Sequence, residues 1–369
     1  MSVTYDEKKR LYKIKGRVRL PNGKYRDYNR AAKWKRKKDA IQEEINIRNS
    51  LMTQEESMTF KELVSLYVQR SPILNIKEST LVSDESYYIN HLADFFDDMD
   101  INSVTSQTVE VWKMEMVRKR QPNGKLYSAT TINNAKKVLS KYFSYAERLD
   151  LIPKNPCKNV PNYTNPNMIV EKELNFLELD EFKQFISYVD DERMNLLFTF
   201  LFMTGLREGE MTALTWHDID FDAGTVTINK TASYKTKQKG YTITPPKTKN
   251  SIRTIGLTDT LLKRLESKLE HDKQYDGFSY DWFIFGSYKP IARTTIAREL
   301  DKYINISGVK RITPHGFRHS HASMLIKMRI DDSAIADRLG HTVNELRKTY
   351  AHVYESDKED LISKLNKIL

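Results

Sequence analysis

Cysteine is nearly absent from this chain: Cys157 is the only one among 369 residues. One thiol cannot build an internal disulfide framework, and its scarcity suits a reducing cytoplasm. No apolar run approaches the ~20 residues that cross a bilayer. The first residues, Met1 to Asp6, lack the apolar core of a secretion signal. A zinc-protease signature is missing too: His315 and His319 stand four apart, yet no glutamate follows the first. These absences exclude a membrane span, a disulfide scaffold and that metal motif, and no metal or cofactor is expected.

What is present is positive charge, unevenly placed. The formal net charge is +11, and residues 1–50 hold 16 Lys/Arg against 6 Asp/Glu, leaving 44 and 43 to the rest. Almost all of the excess therefore sits in one N-terminal segment, as expected of an arm that binds polyanion. Leu11 to Leu20 alternates apolar and basic side chains, the period-2 pattern of a half-buried strand. Pro21-Asn22-Gly23-Lys24 supplies a hairpin turn and Tyr25–Tyr28 the return strand. A helix is expected over Ala31–Ile47, with Trp34, Ala40, Ile41, Ile45 and Ile47 as its apolar members. The basic side chains Lys13, Lys15, Arg17, Arg19, Lys24 and Arg26 are candidates for DNA contact on the open face of this sheet.

A polar stretch at 49–58 leads to a wholly helical pattern: Phe60–Gln69, Thr80–Phe96, Ser106–Lys119 and Ala129–Leu149. Its core candidates include Leu63, Leu66, Tyr67, Tyr88, Leu92, Phe95, Trp112, Val138, Leu139, Tyr142 and Phe143, with Met114 and Met116 as packing filler. Four prolines between Ile152 and Phe176 mark an interdomain linker, poor in apolar residues. Beyond it, Asp180 is placed to cap a helix, and Met194–Thr204 reads as a buried helix closed by Gly205. Thr225–Asn229, Tyr241–Thr244 and Ile252–Leu257 read as strands of one small antiparallel sheet, with helices returning from about Arg293. The fold class expected is multidomain and mainly α with small β-sheets. A small sheet plus helix (1–50) precedes a helical domain (58–152) and a mixed α+β domain (174–369). Pro-Asn-Gly-Lys recurs at 21–24 and 122–125 as two similar turns, with no internal repeat around it.

The chemistry concentrates in the third domain. Arg207 and Glu210 stand three apart just beyond Gly205, and His315 and Arg318 repeat that spacing after Pro314. Leu339-Gly340-His341 ends a further helix, and Tyr350 follows nine residues after the histidine. Two arginines, two histidines, a carboxylate and a late tyrosine suit attack on a phosphodiester by tyrosine without a metal. His319 and His321 are read as structural hydrogen-bonding residues, and lysines in 230–239 as DNA-backbone contacts or solvated turn residues.

In this order, Arg-x-x-Glu, a lysine in a turn, His-x-x-Arg and Leu-Gly-His with its tyrosine resemble the tyrosine recombinase (phage-type integrase) family. The resemblance covers essentially the whole chain. It implies an arm-site DNA-binding domain, a helical core-site-binding domain and a C-terminal catalytic domain. Arg207 and Arg318 would neutralise the scissile phosphate, with His341 adding a hydrogen bond. His315 would take the proton of Tyr350, the nucleophile, and Glu210 would support Arg207. Lys247, in the turn Pro245 to Asn250, would protonate the leaving 5′-oxygen, with Lys249 as the alternative.

The activity implied is that of a site-specific recombinase of a bacterial mobile element, working through a 3′-phosphotyrosine and a Holliday junction without ATP. The implied partners are core- and arm-type double-stranded DNA sites, a homotetramer on that DNA, an excisionase and a host DNA-bending protein. The setting is the bacterial cytoplasm. Leu361, Ile362, Leu365, Ile368 and Leu369 form a helical stripe. It folds on its own domain or, as the resemblance favours, packs into a neighbouring subunit. A type IB topoisomerase and a catalytically idle DNA-binding regulator are the competing readings. The basic arm weighs against the first and the intact residue set against the second.

Overall fold

Alternation in the N-terminal segment becomes a three-stranded antiparallel sheet, order β1-β2-β3, of Val3–Asp6, Leu11–Arg19 and Tyr25–Ala31. The computed structural model describes residues 3–7, 10–19, 25–33, 36–52, 58–165, 175–234, 240–246, 252–351 and 353–354. Lys24, Trp34, Lys247, Lys249 and the stripe beyond Tyr354 lie outside the described residues. The first strand was not expected from sequence. Ile14 and Val18 are buried on one face of β2, together with Val3, Ala32, Ala40 and Ile47 from around them. The helix α1 (Lys37–Met52) begins later than expected, because the backbone N–H of Ala32 still donates to Tyr12 at 2.7 Å and prolongs the ladder. Ile41 and Ile45 are exposed, since the residues that turn inward are Ala40, Glu43, Glu44 and Ile47, at helical spacing.

The chain divides into two compact units, Met1–Asn167 and Met168–Leu369. Within the first, the helical part comprises α2 (Phe60–Gln69), α3 (Glu78–Tyr87), α4 (Ala93–Phe96), α5 (Ser106–Arg118) and α6 (Ala129–Arg148). A π-helical turn, Tyr88–Leu92, joins α3 to α4. Thr59 opens α2 with a reciprocal capping box to Glu62. Phe60, Phe96, Trp112, Tyr142 and Phe143 fill the core. Met116 joins them, but Met114 points outward.

The proline-rich stretch is not a free linker over its first half. Ile152, Cys157 and Val160 are buried in the helical core. Its carbonyls are taken by Lys113 on Pro161 (3.1 Å) and Lys136 on Val160 (2.6 Å), while Asn133 pairs with the backbone of Tyr163. Polar side chains of the bundle satisfy this segment, which is why an apolar count missed its packing.

The second unit begins with α7 (Leu179–Ser187), capped at Glu178 rather than Asp180 because Glu181 reaches back to the Glu178 N–H at 2.6 Å. Helix α8 (Glu192–Thr204) is buried on nearly every side and packs against α12 (Pro314–Lys327). Phe182 stacks on Phe202 with ring centres 3.7 Å apart, and Phe198 faces Phe317. Between these helices the chain forms α9 (Glu208–Ala213), β4 (Ile219–Asp220), β5 (Thr225–Ile228), β6 (Thr231–Ser233), β7 (Thr242–Thr244) and β8 (Arg253–Gly256).

The three expected strands fall in two sheets, not one: β5 joins β4 and β8, whereas β7 pairs with β6. Helix α10 (Asp259–Asp272), absent from the sequence reading, buries Leu261, Leu265 and Leu269. Helices α11 (Arg293–Ser307), α13 (Asp332–Leu339) and α14 (Val343–Thr349) complete the unit. Tyr350 sits in a smaller cluster with Ile326, Ile335, Leu339 and Leu346. Among the described residues, no helix is long and apolar enough to cross a membrane.

Candidate active site

Gly205 ends α8 in the left-handed conformation (φ +64°), and the chain turns at once into α9. A Cβ at Gly205 would lie 2.6 Å from the His321 ring and 2.8 Å from Leu339, so only glycine permits both the turn and the contact. Arg207 is thereby held at the N-cap of α9. Glu210 accepts from the Arg207 backbone N–H at 3.0 Å and from its Nη1 at 2.7 Å.

Glu210 is also held from a direction the sequence did not reveal. Arg253, first residue of β8, donates Nη2 to Oε2 at 2.8 Å and Nη1 to Oε1 at 3.3 Å. Burial alone would push the Glu210 carboxyl up, but the hydrogen bonds and charge of Arg253, then of Arg207, bring it down to about 2. It is a carboxylate at any physiological pH.

Arg318 occupies the middle of α12 and is almost completely buried. Its Nη1 donates to the Gly205 carbonyl at 2.9 Å, and its Nη2 to the Leu339 carbonyl at 2.6 Å. The same Nη2 lies 2.8 Å from His341 Nε2, so that nitrogen is the acceptor and the proton resides on Nδ1. Burial, followed by the Arg207 charge, lowers the Arg318 pKa to about 9. Burial and the same two arginines bring His341 to about 4 and lower His315. Both imidazoles are neutral near pH 7. Among the described residues Arg318 pairs with no carboxylate, while Arg207 and Arg253 share the carboxylate of Glu210. A buried excess of fixed positive charge is a site for an anion.

The tyrosine is brought to the same place. Tyr350 is fully buried, and its hydroxyl lies 2.8 Å from Nδ1 of His319. Burial lifts its pKa to about 12, with the Arg318 charge acting against that rise. The imidazole on the hydroxyl is thus His319, not the expected His315, whose ring stands edge-on to His319 at 4.7 Å. The i,i+4 spacing of the two histidines was visible in the sequence; which of them meets the tyrosine was not.

His321 is structural, as expected. Its Nε2 accepts from Arg338 Nε at 3.1 Å, and burial followed by the Arg338 charge depresses it to about 3. Lys230 is engaged by Asp218 at 2.7 Å and Thr215 at 2.9 Å. Tyr354, the neighbouring phenol, donates to Asp332 at 2.6 Å. Among the described residues no group of His, Cys, Asp or Glu is arranged to hold a metal.

In the N-terminal sheet, Lys13, Lys15, Arg17 and Arg19 form one exposed row on β2. Arg17 is paired with Asp27 across the ladder at 2.6 Å. Arg26 pairs in register with Val18 and so belongs to the opposite face from that row.

The chain is similar to known proteins over most of its length. The model of the phage integrase family matches residues 175–357. The ICEBs1 integrase of Bacillus subtilis is 30% identical over 348 residues, covering 90% of this chain and 90% of that protein. The transposase from transposon Tn916 of Enterococcus faecalis is 27% identical and covers 72% of this chain and 68% of its own length. Among solved structures, the Tn1549 transposon integrase in complex with transposon right end DNA superposes with a TM-score of 0.64 at 22% identity. It covers 83% of this chain and 100% of that one. A lambda integrase tetramer bound to a Holliday junction gives 0.56 at 18% identity, covering 92% and 95%.

Proposed function

Because the chain belongs to the phage integrase family of tyrosine recombinases, we propose that it integrates and excises a bacterial mobile element by tyrosine attack on DNA. The observation that carries the site assignment is the buried Arg318 without a carboxylate, beside Arg207, His341 and the Tyr350–His319 pair. The scissile phosphate supplies the missing negative charge between Arg207 and Arg318, and His341 donates its Nδ1 proton or rotates to bond a phosphate oxygen.

Tyr350 Oη bonds to phosphorus while the bond to the 5′-oxygen breaks, leaving a 3′-phosphotyrosine and a 5′-hydroxyl. The phenol proton passes to His319, the imidazole already hydrogen-bonded to it. Tyr350, pushed up to about 12, yields its proton only to an adjacent acceptor. Lys247, with Lys249 as the alternative, protonates the leaving oxygen. Both the energy of the phosphodiester and the polarity of the strand are conserved, so religation needs no ATP.

We assign residues 1–50 to arm-type DNA through Lys13, Lys15, Arg17 and Arg19. Residues 58–152 are assigned to core-type DNA, and 174–369 to catalysis. The active form is a homotetramer on paired sites in the bacterial cytoplasm, joined by an excisionase and a host DNA-bending protein. The neighbour solved as a tetramer on a Holliday junction supports this assembly.

The test is a supercoiled plasmid carrying two copies of the DNA that flanks the gene. The protein should resolve it into two circles without metal or ATP and leave a plasmid lacking those copies unrelaxed. Relaxation of both plasmids without resolution would instead identify a topoisomerase.

A further inference from the structure

Arg253 stands where three parts of the site meet. Its Nη1 and Nη2 grip both oxygens of Glu210, and its Nε donates to the carbonyl of Arg338 at 2.8 Å. Glu210 in turn holds Arg207. The residue after Arg338 is Leu339, whose carbonyl holds Arg318. One guanidinium therefore spans the supports of both phosphate-facing arginines. It is carried on β8, which follows Lys247 and Lys249 in the sequence.

The Arg253 side chain is 6% exposed and Glu210 is 7%, so Arg253 lies behind the carboxylate while Arg207, at 37%, faces outward. Each nitrogen of the Arg253 guanidinium is already bonded to Glu210 or to the Arg338 carbonyl, whereas Arg207 faces outward and Arg318 Nε has no acceptor, so Arg253 supports the phosphate-binding groups and is not one of them.

We propose that Arg253 is a positioning residue for recombination, which aims Arg207 at the scissile phosphate by fixing Glu210 against the α13 end of the site. This rests on the integrase reading above. The geometry demands arginine in particular. A lysine offers one point charge and cannot span two carboxylate oxygens and a carbonyl together. Without Arg253, Glu210 keeps only Arg207 as its ionic partner and draws that guanidinium back from the phosphate. Burial would then also push the Glu210 carboxyl upward, because the largest force holding it down has gone.

The experiment compares full-length wild type, Arg253→Gln, Arg253→Lys and Arg207→Ala in single-turnover formation of the covalent adduct on nicked core-site DNA. Three scissile linkages are used: the ordinary phosphodiester, an uncharged methylphosphonate, and a 5′-phosphorothiolate. Misplacing a phosphate-binding group by about 1 Å costs on the order of 10²-fold. Arg253→Gln should therefore slow the phosphodiester reaction about 10²-fold at unchanged DNA affinity, with Arg253→Lys slowed less.

On the methylphosphonate there is no anionic charge for Arg207 to neutralise. The penalty of Arg253→Gln, measured against wild type on the same substrate, should shrink there in parallel with that of Arg207→Ala. An equal penalty on all three linkages would make Arg253 a merely structural residue and overturn the proposal. So would a penalty relieved only by the phosphorothiolate, which would place its action on protonation of the leaving oxygen, or the absence of any penalty. Should Arg253→Gln fail to fold, Arg253→Lys read on the same three linkages decides the matter. Wild type giving no adduct on any linkage would be a failure of the integrase reading itself.

Discussion

Replacing Arg318 with methionine should remove DNA cleavage while changing stability little. The guanidinium is 1% exposed, and its pKa falls from 12.5 to about 9, which sets burial and neighbouring charge at roughly 5 kcal/mol against the cation. Against that stand its bonds to the Gly205 and Leu339 carbonyls and to His341, at about 1.5–3 kcal/mol each for charged donors. The two sides nearly balance, so the buried charge adds little to folding. Methionine leaves two buried carbonyls without partners at roughly 1–3 kcal/mol each, and burying its own side chain offsets most of that loss at about 1.5–3 kcal/mol.

The net change should lie within about 2 kcal/mol of zero, in line with other replacements of buried charge by hydrophobes. For a unit of about 200 residues that moves Tm by less than roughly 8 °C. Cleavage, by contrast, should fall at least ~10²–10³-fold, the loss typical of one preorganised donor to a developing anion. Urea unfolding and single-turnover adduct formation measure the two quantities on the same preparation. A loss above ~4 kcal/mol, with cleavage per folded molecule preserved within tenfold, would show Arg318 to be a structural residue and refute the reasoning.

Three further outcomes are expected. His321 is held near 3 in the folded chain against ~6.5 when unfolded, so its stabilising contribution is complete above pH ~6.5 and is lost as pH falls, at ~1.4 kcal/mol per pH unit. His321→Asn should reduce the slope of unfolding free energy between about pH 6.5 and 4.5 by one proton; an unchanged slope would mean that histidine is not buried neutral. Gly205→Ala combines a left-handed backbone with a Cβ 2.6 Å from His321 and should cost about 2 kcal/mol or more by urea unfolding, whereas wild-type stability would contradict the packing described. Deleting residues 1–50 should abolish salt-sensitive binding to arm-type DNA yet keep core-site cleavage, and loss of cleavage with arm binding retained would reverse the domain assignment.

How much of this was legible in the sequence depends on the distance over which residues interact. Arg207 with Glu210 and His315 with Arg318 lie one helical turn apart, and His341 follows a helix-ending glycine, so spacing alone exposed them. Arg253 reaches Glu210 across 43 positions and His319 reaches Tyr350 across 31, and no local pattern encodes such pairings. Helix α10 was lost because Leu261, Leu265 and Leu269 form a thin stripe in a charged segment. The proline-rich stretch packs through backbone carbonyls capped by Lys113 and Lys136, a bond type with no apolar signature. Ile41 and Ile45 misled in the opposite sense, since an apolar residue on a helix need not face the core.

The central claim is that Tyr350, buried against His319 and aimed at a site built by Arg207 and Arg318, is the group that joins DNA. Wild-type protein incubated with a nicked core-site duplex, in chelator and without nucleotide, should become covalently attached to the 3′ side of the break. Mass spectrometry of the digested adduct should place the nucleotide on Tyr350. Tyr350→Phe, which removes a single oxygen, should bind the same DNA with unchanged affinity and give no adduct. An adduct that persists in Tyr350→Phe, or one that maps to Tyr354, would contradict the account.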